Sequence, residues 1–211
     1  MMGLSADRAV LATLAMMVVW VPIAAAAWAT GATGLGRCCL RGGEMADASA
    51  IALIMFWLTG AISFVGAVKL YCILMVVALF ACAIVSLSRC VRRRVVLAGV
   101  ASVISVVMLA SPVWLSGPAN TMSQETVRPL TVWAVRANAY FATTEAIADR
   151  INFVWIDSGL MYRLTPLGDH LALPRAEWYW PIVIFLPSAA IIGAIGVLIR
   201  RIQPATPPAT P

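Results

Sequence analysis

Long apolar runs dominate the chain, and polar residues gather between them. Five stretches are long and apolar enough to cross a bilayer core, which takes about 20 apolar residues for roughly 30 Å. They run over 9–29, 49–68, 70–88, 95–115 and 181–199. The pattern predicts an all-α fold: a polytopic membrane helix bundle over 1–115, completed by the last transmembrane helix at 181–199. The stretch 49–88 is too long for one crossing, because forty helical residues would extend about 60 Å. Gly66 and Lys69 mark the expected break, since Gly favours a turn and Lys can snorkel to an interface. A hairpin there gives five transmembrane helices, the favoured reading. A single crossing plus a re-entrant or surface helix gives four, the alternative.

The segment 116–180 has a different pattern. Gly117-Pro118 breaks the chain, and from about Pro129 apolar residues return at spacings of three and four. Trp133, Tyr140, Phe141, Ile147, Ile151 and Trp155 fall on one side, with Arg136, Glu145, Asp149 and Arg150 largely on the other. This predicts an external amphipathic helix over about 129–156. Its apolar side is a candidate partner surface. Trp178-Tyr179-Trp180 then precede Pro181, as aromatics do at a membrane interface ahead of a helix start. The tail 200–211 ends in Q-P-A-T-P-P-A-T-P and is expected to be disordered and cytoplasmic.

Composition agrees with a membrane protein: 62% of the 211 residues are hydrophobic and 11% charged, against about 45–50% and 25% in soluble domains. Charge then sets the orientation, because cytoplasmic loops collect Lys and Arg. Arg89, Arg92, Arg93 and Arg94 form one cluster without an acid, and Arg200 and Arg201 form another. Both belong inside. Segment 116–180 holds Arg128, Arg136, Arg150, Arg163 and Arg175 against Glu125, Glu145, Asp149, Asp157, Asp169 and Glu177, one acid more than base, which suits the outside. Five crossings place the N-terminus outside and 30–48 inside. Four crossings place 30–48 outside and both termini inside. A cleaved signal peptide over the first helix is disfavoured by its long apolar region and by Pro22. The expected location is a bacterial inner membrane.

Candidate chemistry is sparse. The five cysteines, Cys38, Cys39, Cys72, Cys82 and Cys90, include no C-x-x-C pair. Adjacent Cys38 and Cys39 would be reduced inside, or free to bridge other chains outside. The cores of the five predicted helices lack Asp, Glu, Arg and His, which counts against ion-coupled transport. His170 beside Asp169, and Glu145 with Asp149, read as solvated loop and exposed helix face. No phosphate loop, nucleophile elbow or zinc-protease motif occurs. No catalytic residue, cofactor or metal site is therefore expected. The basic residues sit at helix ends without interleaved aromatics, so nucleic acid is not an expected partner. Small residues at four-residue spacing, Ala98–Ser102, Ala101–Ser105 and Ala189–Gly193, predict close helix packing. The claudin W…C…C signature and the C-x-x-C of quinone-linked thiol oxidases are both missing. The expected function is a non-enzymatic integral membrane subunit or assembly (scaffold) factor of a larger membrane protein complex. A small transporter or channel subunit is the alternative. The expected partners are the lipid bilayer and other membrane protein subunits.

Overall fold

The computed structural model describes residues 2–32, 35–87, 94–111, 121–148, 150 and 177–202. The described residues are all-helical: α1 Met2–Ala29, α2 Leu35–Leu58, α3 Phe64–Ser86, α4 Arg94–Leu109, α5 Gln124–Ala137, α6 Ala139–Ala146 and α7 Trp180–Ile202. Three of them are long and apolar enough to cross a membrane: α1 over Ala9–Ala29, α3 over Phe64–Ser86, and α7 over Trp180–Ile199. The shorter α4 is apolar over Val95–Leu109.

The chain breaks at 59–63, ahead of the Gly66–Lys69 position expected from sequence. Helix α2 closes on a Schellman motif, with Gly60 at φ +74°. The Ala61 N–H donates to the Phe56 carbonyl and the Gly60 N–H to Trp57, both at 2.9 Å. Helix α3 then opens with Ser63 as N-cap, its Oγ accepting from the Gly66 N–H at 2.9 Å. Gly66 thus lies inside a helix, and its missing side chain has another use. A Cβ there would stand 3.0 Å from the Ala146 carbonyl oxygen, so Gly66 admits the end of α6 against α3.

Helix α2 also begins at Leu35, inside a stretch expected to be a loop. Its charged residues occupy one face and small ones the other. Cys38, Gly42, Ala46, Ser49 and Leu53 are buried at spacings of four, four, three and four, while Arg37, Glu44 and Asp47 are exposed. The helix is therefore longer at its start than the predicted 49–68, and it takes in charged residues that lay outside that range. Arg41, Glu44 and Asp47 all lie within a helix packed along α3.

Contacts between side chains fix the helix directions. Helices α2 and α3 are antiparallel: Trp57 meets Phe64 (ring centroids 5.4 Å), Asp47 meets the Tyr71 hydroxyl (2.5 Å), and Gly42 faces Cys82. Helices α3 and α7 are parallel: Lys69 lies over Trp178 (5.6 Å), Phe80 packs on Phe185 (5.0 Å), and Leu87 lies against Gly196. The end of α1 meets the start of α2, where the Cys38 thiol points at the Ala29 carbonyl. The core is built on α3, with Leu70, Ile73, Leu74, Ala78, Ala81 and Cys82 all at 2% exposure or less. Leu14, Val18, Ala25 and Ala26 of α1 join it.

The predicted single helix over 129–156 is interrupted. Helices α5 and α6 meet at Asn138, whose backbone is extended (φ −84°, ψ 109°). Ser and Thr hydroxyls along the bundle bond back to their own helices: Thr13 to Ala9, Ser102 to Ala98, Ser105 to Ala101, Thr143 to Ala139 and Ser188 to Ile184, at 2.7–2.9 Å. Apolar side chains cover much of the outside, among them Trp20, Val95, Val103, Ile191 and Leu198. Lipid or another protein must cover such a surface.

Candidate functional site

Three polar clusters interrupt this apolar bundle. The first surrounds Asn138, which is 1% exposed. Its Nδ2 donates to the Leu109 carbonyl at 2.8 Å and approaches Met108 O and Ser111 Oγ at 3.4 Å. Its Oδ1 accepts from the Tyr140 N–H at 2.9 Å. One side chain therefore closes the C-terminal end of α4 and opens α6. Burial pushes the Tyr140 phenol above its ordinary pKa, so it stays a neutral donor.

The second cluster gathers the expected interfacial aromatics. The Lys69 ammonium lies over the Trp178 ring, and the Trp178 backbone N–H donates to Glu145 Oε2 at 3.1 Å. The Arg136 guanidinium stacks on Trp180 at 4.2 Å from the ring centroid, while its Nε has no hydrogen-bond partner among the described residues. Tyr179 packs between the two tryptophans and donates its hydroxyl to Glu177. This triplet joins the starts of α3 and α7 to α5 and α6 through cation–π contacts and hydrogen bonds.

The expected partner surface on 129–156 is divided by the break at Asn138. Trp133 is 61% exposed, Tyr140 and Phe141 are half-buried, and Ile147 is wholly buried in the core. Ile151 and Trp155 lie outside the described residues, as do Arg89, Arg92, Arg93 and the tail from 203. Arg94, Arg200 and Arg201 lie in helices, at the start of α4 and the end of α7. Leu87 sits against Gly196, so the flank of the first arginine cluster and the last turns of α7 share one end of the bundle. The aromatic triplet occupies the other.

Sequence reasoning missed the third cluster, on α2. The Trp28 indole N–H donates to Glu44 Oε2 at 2.9 Å. Arg41 donates to the Trp28 carbonyl at 2.7 Å and lies over its ring. Asp47 accepts from the Tyr71 hydroxyl. Asp47 also borders a groove of about 430 Å³ whose other walls include Ile54, Trp57, Phe64 and Val68. Eleven residues separate Asp47 from Leu58 and twelve from Leu35, so it stands near the middle of α2, about 17 Å from either end. Among the described residues, no group of three or more His, Cys, Asp or Glu is placed to hold a metal ion. Among the described residues, Cys39, Cys72 and Cys82 form no disulfide.

The described architecture defines a class, a helical protein with several helices able to cross a membrane. Beyond that class, the chain matches no family model, no curated protein and no solved structure.

Proposed function

We propose that this protein is a non-enzymatic subunit or assembly factor of a larger membrane protein complex. It would cross the bacterial inner membrane five times, with its N-terminus outside, its C-terminus inside and 116–180 external. One observation carries this reading. Helix α2 packs antiparallel along α3, a helix apolar enough to span, and Glu44 and Asp47 of α2 are exposed near its middle. In a lone bundle they would face hydrocarbon, at a cost of about 2.5–3.5 kcal/mol for each charge at the bilayer centre on insertion scales. A neighbouring subunit removes that exposure. The shared end of Leu87 and Gly196 supports the orientation, because it brings the arginine-rich connections to one side.

The topology is tested with single cysteines in a chain whose own cysteines are replaced by Ser. Gly36 and Ser123 are both exposed, and a Cβ on Gly36 meets nothing within 4 Å. Ser123→Cys should react with an impermeant maleimide on intact cells, and Gly36→Cys only after the membrane is opened. Labelling of Gly36→Cys from outside would establish the four-helix arrangement instead. The subunit reading itself is tested by native electrophoresis after mild solubilisation, where migration as a lone chain would reject it.

A transporter is the second reading, favoured by the Asp47–Tyr71 pair beside its groove. It requires solute flux in proteoliposomes that Asp47→Asn abolishes.

A further inference from the structure

Leu40, Glu44, Asp47, Ile51, Ile54 and Leu58 of α2 are all exposed, and they follow one another at spacings of four, three, four, three and four. That alternation is the 3.5-residue repeat of a left-handed coiled-coil seam. None of the six is covered by the described helices: Leu40, Ile51 and Leu58 are 69%, 68% and 66% exposed. The opposite face of α2 is already occupied by α1 and α3, through Cys38, Gly42, Ala46 and Leu53. The stripe is therefore a second packing face, acidic between its apolar members, with the exposed Arg37 continuing it three residues before Leu40.

The middle decides what can cover it. Glu44 and Asp47 receive hydrogen bonds from Trp28 and Tyr71, which are neutral donors, while Arg41, one turn before Glu44, is engaged on the Trp28 carbonyl and ring. A second copy is a poor occupant. A two-fold axis along the bilayer normal would lay two α2 helices side by side in the same direction, with Glu44 against Glu44 and Asp47 against Asp47. Like charges opposed at a seam repel. Lipid tails supply no cation at that depth.

Building on the subunit reading, we infer that the outer seam of α2 docks a transmembrane helix of a different protein, one that carries a Lys or Arg near its own mid-span. The basic residue would meet Glu44 and Asp47, while Leu40, Ile51, Ile54 and Leu58 pack the rest of the seam. Each helix then neutralises the charge that the other could not hold alone in the bilayer.

The test places a photoreactive amino acid at Ile51 of the full-length chain in its native membranes and identifies the linked peptide. The expected product comes from an apolar span of another protein, with a Lys or Arg within about two turns of the linked residue. The E44Q/D47N variant should lower the linking yield at least about tenfold, a change of about 1.4 kcal/mol in binding, with the chain level unchanged. Should the double variant fail to accumulate, the single variants E44Q and D47N are judged by the same yield. Linking to a second copy, to lipid alone or to a span without a cation would overturn the inference, as would an unchanged yield in the variants. In those cases the subunit reading survives if the chain still migrates with a partner, and falls only if the wild type migrates alone.

Discussion

Asn138→Ala should destabilise the bundle by about 3 kcal/mol, seen as earlier unfolding in detergent. The figure combines a lost N-cap at about 1 kcal/mol with about 1–3 kcal/mol for a part-buried carbonyl that loses its side-chain donor. The carbonyl is that of Leu109, which Asn138 Nδ2 meets at 2.8 Å. The cap is the Tyr140 N–H on Oδ1. Two replacements separate these roles. Asn138→Asp keeps an acceptor for Tyr140 but turns an oxygen toward Leu109 O, so it should be at least as harmful as Ala. Asn138→Ser can still cap α6 but is too short to close α4, so it should fall between wild type and Ala. If all three replacements melt together with wild type, Asn138 does not tie α4 to α6.

Gly42→Ala should destabilise the protein by about 1–3 kcal/mol through overpacking, although Ala is the better helix former. A Cβ at Gly42 would stand 2.9 Å from the Cys82 sulfur, with the Ala78 carbonyl oxygen next at 3.5 Å. Cys82 is fully buried, so its sulfur has little room to yield. Cys82→Ala removes that atom. The pair Gly42→Ala with Cys82→Ala should therefore melt near Cys82→Ala alone, recovering at least about 1 kcal/mol of coupling in a double-mutant cycle. Additive losses would show that the contact is relieved by backbone movement instead. The result bears on function, because this contact sets the rotation of α2 and hence which residues face outward.

Much of the fold was legible where residues are strongly apolar. The expected limits 9–29 match the apolar part of α1, and the aromatic triplet stands at the start of α7. Legibility failed where small residues carry the packing. Gly42, Ala46 and Ser49 add little to a hydropathy profile, so the first half of α2 resembled a charged loop, although they recur at helical spacing on its buried face. The turn signal was present but overlooked. Gly60 followed by Ser63 is a helix stop and a helix start, stronger local punctuation than the Gly66 and Lys69 favoured over it. Asn138 was hidden differently. Apolar periodicity continues through it, and nothing nearby in sequence shows that its side chain is needed by Leu109, twenty-nine residues earlier. The acidic stripe was hidden for the same reason, since a charged run read as loop gives no sign that Glu44 and Asp47 share a helix face with Ile51 and Ile54.

The inward-bonded hydroxyls have a consequence for permeation. Thr13, Ser102, Ser105, Thr143 and Ser188 have each placed their single proton on a carbonyl one turn back. A polar solute threading between these helices would have to break a hydroxyl-to-carbonyl hydrogen bond at every such stop before it could accept a hydrogen. A hydrophilic route past these positions would thus lack ready donors, whereas the outer face of α2 presents the carboxylates of Glu44 and Asp47 to whatever surrounds it.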